Sequence, residues 1–204
     1  NMFYDRDIII LHTDISPLPE DTTNSWYYQL LEYVEQYPET GIFGTTLLYP
    51  AKNEEGGFFI QHAGGRFNQQ GVAVHFGGGL DLSTNRVFGE TEVDQGQYDK
   101  VREVSWVTFG GVYIRRSVFD AVGDYDPRYI NSYYRDVDYC LEARKLGFKI
   151  YQTPVKLLHY ESKSHKETNP SEMHSLLYIN GQIFKEKWKD SSLVCTLNRV
   201  VDNE

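Results

Sequence analysis

Ile8-Ile9-Ile10-Leu11 forms an unbroken apolar run that ends at His12-Thr13-Asp14. The run is too short for an ordinary helix. It reads as a strand covered on both faces, of the kind that fills the middle of an α/β sheet. A sheet covered on both faces needs helices, and the sequence supplies them. Tyr27, Leu30, Leu31 and Val34 recur at helical spacing, behind a polar start at Thr22 to Ser25 and ahead of Pro38 and Gly41. Ile42 to Tyr49 then reads as a strand and Phe58 to Ile60 as a shorter one after the polar turn Lys52 to Gly57. Val104 to Ile114 reads as a strand interrupted by Gly110-Gly111, and Ser117 to Val122 as a short helix. A longer helix is expected over Asp136 to Leu146 with Gly147 as its stop. Short strands follow at Phe148 to Tyr151 and Val155 to Leu158, and helical periodicity returns from Glu172 to Trp188. Gly64 to Lys100 and Glu161 to Pro170 read as loops. Strands alternating with helices give an α/β layered fold.

Composition narrows the class. The 204 residues are 40% hydrophobic and 24% charged, which suits one soluble domain with a real core. A net charge of −9 argues against a general nucleic-acid binder, which needs a basic surface to displace counterions. Cys140 and Cys195 stand outside any CxxC pattern, so neither a zinc signature nor a disulfide framework is visible. Reduced thiols in a cytoplasmic setting are the simplest reading. No apolar run approaches the ~20 residues that cross a bilayer.

Three polar clusters stand where an α/β fold can place chemistry. The first is His12-Thr13-Asp14, because ligands gather beyond the carboxyl ends of strands in open sheets. A carboxylate there can hold a divalent cation that binds phosphates, or it can simply cap a turn. The second is Arg135-Asp136-Val137-Asp138 at a helix start. Acids are common there because the helix end favours negative charge, yet the same rigid position suits a general base. The third is His159-Tyr160-Glu161 after a strand, where a neutral imidazole can ligate a metal or merely pack. Taken singly, each cluster has an ordinary structural reading.

Their order is more specific. Trp106-Val107-Thr108-Phe109-Gly110-Gly111-Val112-Tyr113-Ile114-Arg115-Arg116-Ser117-Val118-Phe119, continuing through Val122-Gly123-Asp124-Tyr125-Asp126, resembles the central block of family 2 glycosyltransferases with the GT-A fold. The Asp-x-Asp-x-Cys-Leu helix of Asp136 to Leu141, Gly147-Phe148 with Pro154, and the closing His-x-Glu-Ser-x-Ser of His159 to Ser164 continue the match. Upstream, Gly41-Ile42-Phe43-Gly44, Leu47-Leu48-Tyr49-Pro50 and Gln61-His62-Ala63-Gly64-Gly65 are also similar to this family. The resemblance covers roughly residues 7–190.

The resemblance implies a partial GT-A fold: Rossmann-like, a mixed sheet flanked by helices. Residues 1–190 would form the metal, acceptor and catalytic side, and 191–204 a C-terminal extension. It implies a glycosyltransferase that moves a sugar from a nucleoside-diphosphate sugar to an acceptor hydroxyl with inversion, in surface polysaccharide or glycan synthesis. Asp136 would be the catalytic base, and Asp14 and His159 would hold a divalent cation, Mg²⁺ or Mn²⁺. Thr108, Gly110, Gly111, Arg135 and Trp106 would bind substrate. The acceptor would be a glycan or a lipid-linked saccharide, with peripheral membrane association at the inner face and oligomerisation left open.

Departures from the family pattern favour an alternative, a catalytically inactive module that binds glycans or a partner. Arg135 replaces the usual Glu and Phe109 the usual Gly; His12 also stands at the first position of the family's DxD-type element, where relatives vary. The nucleotide-binding βαβ region that precedes this element in relatives is absent ahead of Asn1. The expectation is therefore a piece of a longer chain, with an incomplete core and an exposed sheet edge.

Overall fold

The computed structural model describes residues 6–78, 91–131, 133–160 and 170–195. Gly79 and the Glu161 to Ser164 end of the closing motif lie outside the described residues, as do most of residues 161–170. In chain order the elements are β1 (Ile8–Leu11), β2 (Ile15–Pro17), α1 (Ser25–Gln36), β3 (Thr40–Lys52), β4 (Phe58–His62), β5 (Gly65–Phe67) and β6 (Ala73–His75). They continue with β7 (Arg102–Glu103), β8 (Gly111–Ile114), α2 (Arg116–Val122), α3 (Arg135–Lys145), β9 (Lys149–His159), α4 (Pro170–Trp188) and α5 (Ser192–Cys195).

The fold is α/β, a mixed sheet flanked by helices. The described strands make a seven-stranded sheet with the order β1-β8-β3-β9-β2, to which β4 and β7 add alongside β3 and β9. The long strands β3 and β9 run parallel at its centre, and β8 pairs antiparallel with β3. Successive strand residues point to opposite faces, so each face receives its own core. Ile42 faces a cluster with Val118, Cys140, Leu141 and Ile150, under α2 and α3. Its neighbour Phe43 faces Leu30, Val34, Tyr113 and Val155, under α1. The Asp21 carboxylate accepts hydrogen bonds from the backbone N–H groups of Ser25 and Trp26, at 2.7 and 2.9 Å, and so caps α1.

Four features depart from the sequence reading. Ile8–Leu11 is an end strand, paired on one side with β8; its residues are half-buried and Leu11 is 42% exposed. An unbroken apolar run was the wrong guide here, because one exposed edge still leaves both faces partly covered. Val104 to Ile114 is not one strand. The chain leaves the sheet after Glu103 and rejoins it at Gly111, and the segment between places the buried Trp106 and the half-buried Thr108 in the wall of a pocket. The two strands expected either side of Pro154 are a single strand, β9. Its ladder with β3 shifts register between Gly44 and Thr46, where β9 passes from Gln152 to Lys156. A proline has no N–H to give the ladder, and the irregularity accommodates that loss. Finally, the loop-like stretch after Gly64 contains the small β5–β6 sheet.

Helix α4 is fastened to α3 by a buried polar network. The Asp138 carboxylate accepts from the Tyr129 hydroxyl at 3.0 Å, the Trp188 indole at 2.8 Å and the Lys187 ammonium at 2.8 Å. Lys187 also reaches Asp126 and Glu142. Asn180 hydrogen-bonds the backbone of Ile130 and the carbonyl of Tyr133. These ties hold the chain in the left-handed conformation at Tyr134 (φ 67°) from which α3 begins, a geometry that costs a bulky residue energy and needs such support. Val194 of α5 joins the main core. Among the described residues no helix is long and apolar enough to cross a membrane.

Candidate functional site

The turn after β1 joins two strands at opposite ends of the sheet order, and backbone hydrogen bonds pin it in place. His12 N–H donates to Gly110 O at 2.9 Å, Ile15 N–H to His12 O at 3.1 Å, and Tyr160 N–H to Asp14 O at 3.0 Å. The result brings His12 and Asp14 to the last residue of β9, His159. One ligand atom from each of the three lies within 4.8 Å of the others. His159 Nε2 sits 3.3 Å from Asp14 Oδ1. Its Nδ1 is 2.5 Å from Gln61 Oε1, an atom that can only accept, so Nδ1 carries a proton while Nε2 faces the Asp14 carboxylate. A second hydrogen bond that orients the ring in this way is the usual support of a metal-binding histidine. Gly110 leaves room beneath the cluster: a Cβ there would come 2.9 Å from Leu47 and 3.8 Å from both the His12 and His159 rings.

A pocket of about 380 Å³ is lined by His12, His159 and Asp136. Asp136 is the second residue of α3. Burial pushes its carboxyl up to about 6, against a weaker opposing pull from hydrogen bonds donated by the Val137 N–H, the Thr108 hydroxyl and nearby backbone. The Val137 N–H bond is 2.8 Å long. A carboxylate so placed is ionised at neutral pH yet basic enough to take a proton, which is the condition for a general base.

The expected substrate-binding residues divide. Thr108, Trp106 and Arg135 line the pocket, and Gly110 lies beneath its His pair. Gly111 does not reach it. It sits within β8, where a Cβ would meet the Thr45 hydroxyl at 2.4 Å, so its role is to let β3 and β8 approach. The Trp106 ring lies on the backbone of Gly65, where a Cβ would fall 2.0 Å from the indole. Arg135 donates from Nη2 to Tyr129 O at 2.9 Å, and its Nε has no partner among the described residues. Phe109 packs with Tyr125 and Tyr139, ring centroids 6.1 and 5.5 Å away.

Reading residues alone gave no role to His12 as a ligand, nor to Gln61, His62 and His75. The His-x-Asp spacing was a usable signal for His12, since a turn can turn both side chains the same way. Nothing in the sequence marks His75, which meets its neighbours only through the β5–β6 sheet.

No family model matches the sequence. Among curated proteins, the "Uncharacterized protein y4gI" of Sinorhizobium fredii is 27% identical over 184 residues, which is 89% of this chain and 18% of that protein. The "O-antigen biosynthesis protein RfbC" of Myxococcus xanthus is 31% identical over 146 residues, 70% of this chain and 10% of that protein. The chain thus spans less than a fifth of either relative's length. Among solved structures, GalNAc-T7 with UDP, GalNAc and Mn²⁺ aligns over 92% of this chain and 42% of its own, at 12% identity and a TM-score of 0.49.

Proposed function

We propose that this chain is the catalytic part of a nucleotide-sugar-dependent glycosyltransferase that builds a surface polysaccharide or related glycan. One observation carries the reading: Asp136, its carboxyl raised to about 6 by burial, lines one pocket with His12 and His159, the two histidines that cluster with Asp14. The sequence relationship to an O-antigen biosynthesis protein supports it.

In this reading Asp136 accepts the proton of the acceptor hydroxyl as its oxygen attacks the sugar's anomeric carbon. The bond from that carbon to the diphosphate oxygen breaks, and in-line attack inverts the centre. Thr108 and the Val137 N–H hold the carboxylate in line by donating to it. The donor set of His12, Asp14 and His159 fits a divalent ion, and two imidazoles with one carboxylate suit a first-row ion such as Mn²⁺ better than Mg²⁺, which prefers oxygen ligands. Such an ion, when bound, supplies positive charge against the departing diphosphate.

The test is nucleoside-diphosphate release from a panel of nucleotide sugars, with Mn²⁺ and a mixed saccharide acceptor. Release by the protein and its loss in Asp136→Asn is the expected result. Binding of nucleotide sugar without any turnover would replace this reading with that of a glycan-binding module.

A further inference from the structure

Two histidines in the pocket wall, His62 buried and His75 half-buried, have no part in the chemistry above. His62 ends β4 and His75 ends β6, and their Nδ1 atoms are 2.9 Å apart. His62 Nε2 lies 3.2 Å from the Thr108 backbone N–H, which can only donate. His62 Nε2 must therefore be the unprotonated nitrogen, and the His62 proton sits on Nδ1. That N–H donates to His75 Nδ1, which must then accept. The His75 proton is left on Nε2. Burial keeps both rings neutral: it lowers His62 well below the ordinary value, with His75 and Arg102 adding to the effect, and brings His75 down to about 4. The two tautomers are thus dictated by one backbone N–H.

The rings cannot easily turn. Trp106 stands edge-on to His75 at 4.8 Å between centroids and tilted over His62 at 5.1 Å. Trp106 is itself held by its indole N–H on Arg66 O at 3.3 Å and by close seating on Gly65. Arg102 donates to the Ala63 carbonyl beside His62 and stacks over Phe76 beside His75 at 4.3 Å. His75 lines the pocket, and its Nε2 has no hydrogen-bond partner among the described residues.

We propose that the His75 Nε2–H is a preset hydrogen-bond donor that recognises one hydroxyl oxygen of the sugar bound in this pocket, with His62 and Thr108 as the residues that fix its direction. Its ring has spent its only acceptor on His62, so this point of the wall can give a hydrogen bond and cannot receive one. An oxygen lone pair is selected there, and a ligand with hydrogen in place of that hydroxyl leaves a buried donor unsatisfied, a loss worth about tenfold in affinity. The identity of the ligand as a sugar rests on the glycosyltransferase reading; the donor's direction does not.

The experiment is two-bond ¹H–¹⁵N spectroscopy on the protein labelled in histidine, at neutral pH. The expected spectrum shows His62 as the Nδ1–H tautomer and His75 as the Nε2–H tautomer. The opposite tautomer at either ring, or a charged ring, overturns the proposal. Methyl hexosides and their monodeoxy analogues are then titrated while the His75 Nε2 and Trp106 indole signals are followed. A sugar that moves both signals, and a single deoxy position that abolishes the His75 response and weakens binding about tenfold, is the expected outcome. His75→Phe should show the same weakening for the parent sugar and none for that deoxy analogue, whereas His75→Gln, which keeps a donor, should recover part of the affinity. A sugar that moves Trp106 and leaves His75 unmoved refutes the subsite and spares the glycosyltransferase reading. The full His75 response in a protein that transfers no sugar does the reverse. No response of either signal to any sugar refutes both.

Discussion

Asp136 and Asp138 lie one residue apart in the first turn of the same helix, and their surroundings could hardly differ more. Asp138 is buried and saturated: a phenol, an indole and an ammonium all point at its carboxylate. Asp136 receives a few backbone and hydroxyl donors, faces the pocket, and has no cation paired with it among the described residues. The helix N-terminus favours negative charge at both positions. What separates them is the second layer. Asp138 points to α4, which brings Lys187 and Trp188. Asp136 points to the segment between Glu103 and Gly111, which brings only Thr108 and peptide groups. Complete satisfaction makes an acid a structural joint, and partial dehydration leaves it reactive.

Substitutions should divide along that line. The largest effect is expected from Asp136→Asn on transfer, a loss of about 10²–10⁴-fold in rate with the fold intact by circular dichroism. Asp138→Ala should do the opposite. It strands Lys187 and two buried donors, and denaturant titration should show about 2–4 kcal/mol of lost stability. Lys187 keeps Asp126 and Glu142 as partners, which holds the cost below that of a fully orphaned charge. If Asp138→Ala instead left stability unchanged, the saturated network would not be the joint between α3 and α4. A third change tests the other side of the pocket. Gln61→Leu frees the His159 ring and should weaken Mn²⁺ binding about 10–100-fold by calorimetry, with His12 and Asp14 still present.

The smallest effect is the most diagnostic in sign. The folded Asp136 carboxyl titrates near 6 against an ordinary 3.8, so the folded state holds a proton that the unfolded chain gives up in that window. Stability from this group is therefore greatest below the ordinary value and declines as pH rises through about 6. Asp136→Asn removes the penalty. The variant should be more stable than the parent at pH 7 by about 1–3 kcal/mol and no more stable at pH 4. Transfer should show the mirror image, rising with pH through about 6 as the base ionises.

Much of this is legible in the sequence. The helices over α1, α2, α3 and α4 follow from periodicity and punctuation, and the residues Asp14, Asp136 and His159 stood at element ends where an α/β fold presents side chains. The failures have a common cause. Four apolar residues report that a strand has covered faces, and they do not report whether it has one neighbour or two, so β1 was set in the middle of the sheet. The strand around Pro154 read as two because the sequence cannot show that β9 takes up two extra residues against β3 there. Gly111 was expected at the pocket beside Gly110, and it lies within β8, where the Thr45 hydroxyl crowds it. His75 was invisible for a different reason. Its importance arises from His62 and Thr108, which are far from it in sequence and meet it only after β5 and β6 have paired.

The proposed base role of Asp136 requires a dehydrated carboxylate in an open pocket. Its side-chain carboxyl ¹³C signal, assigned through Asp136→Asn and followed from pH 3 to pH 8, reports this without any substrate. A midpoint near 6 is the expected result. A midpoint near 3.8, the ordinary value, would mean that the group is as hydrated as any surface acid and would remove the base from the site.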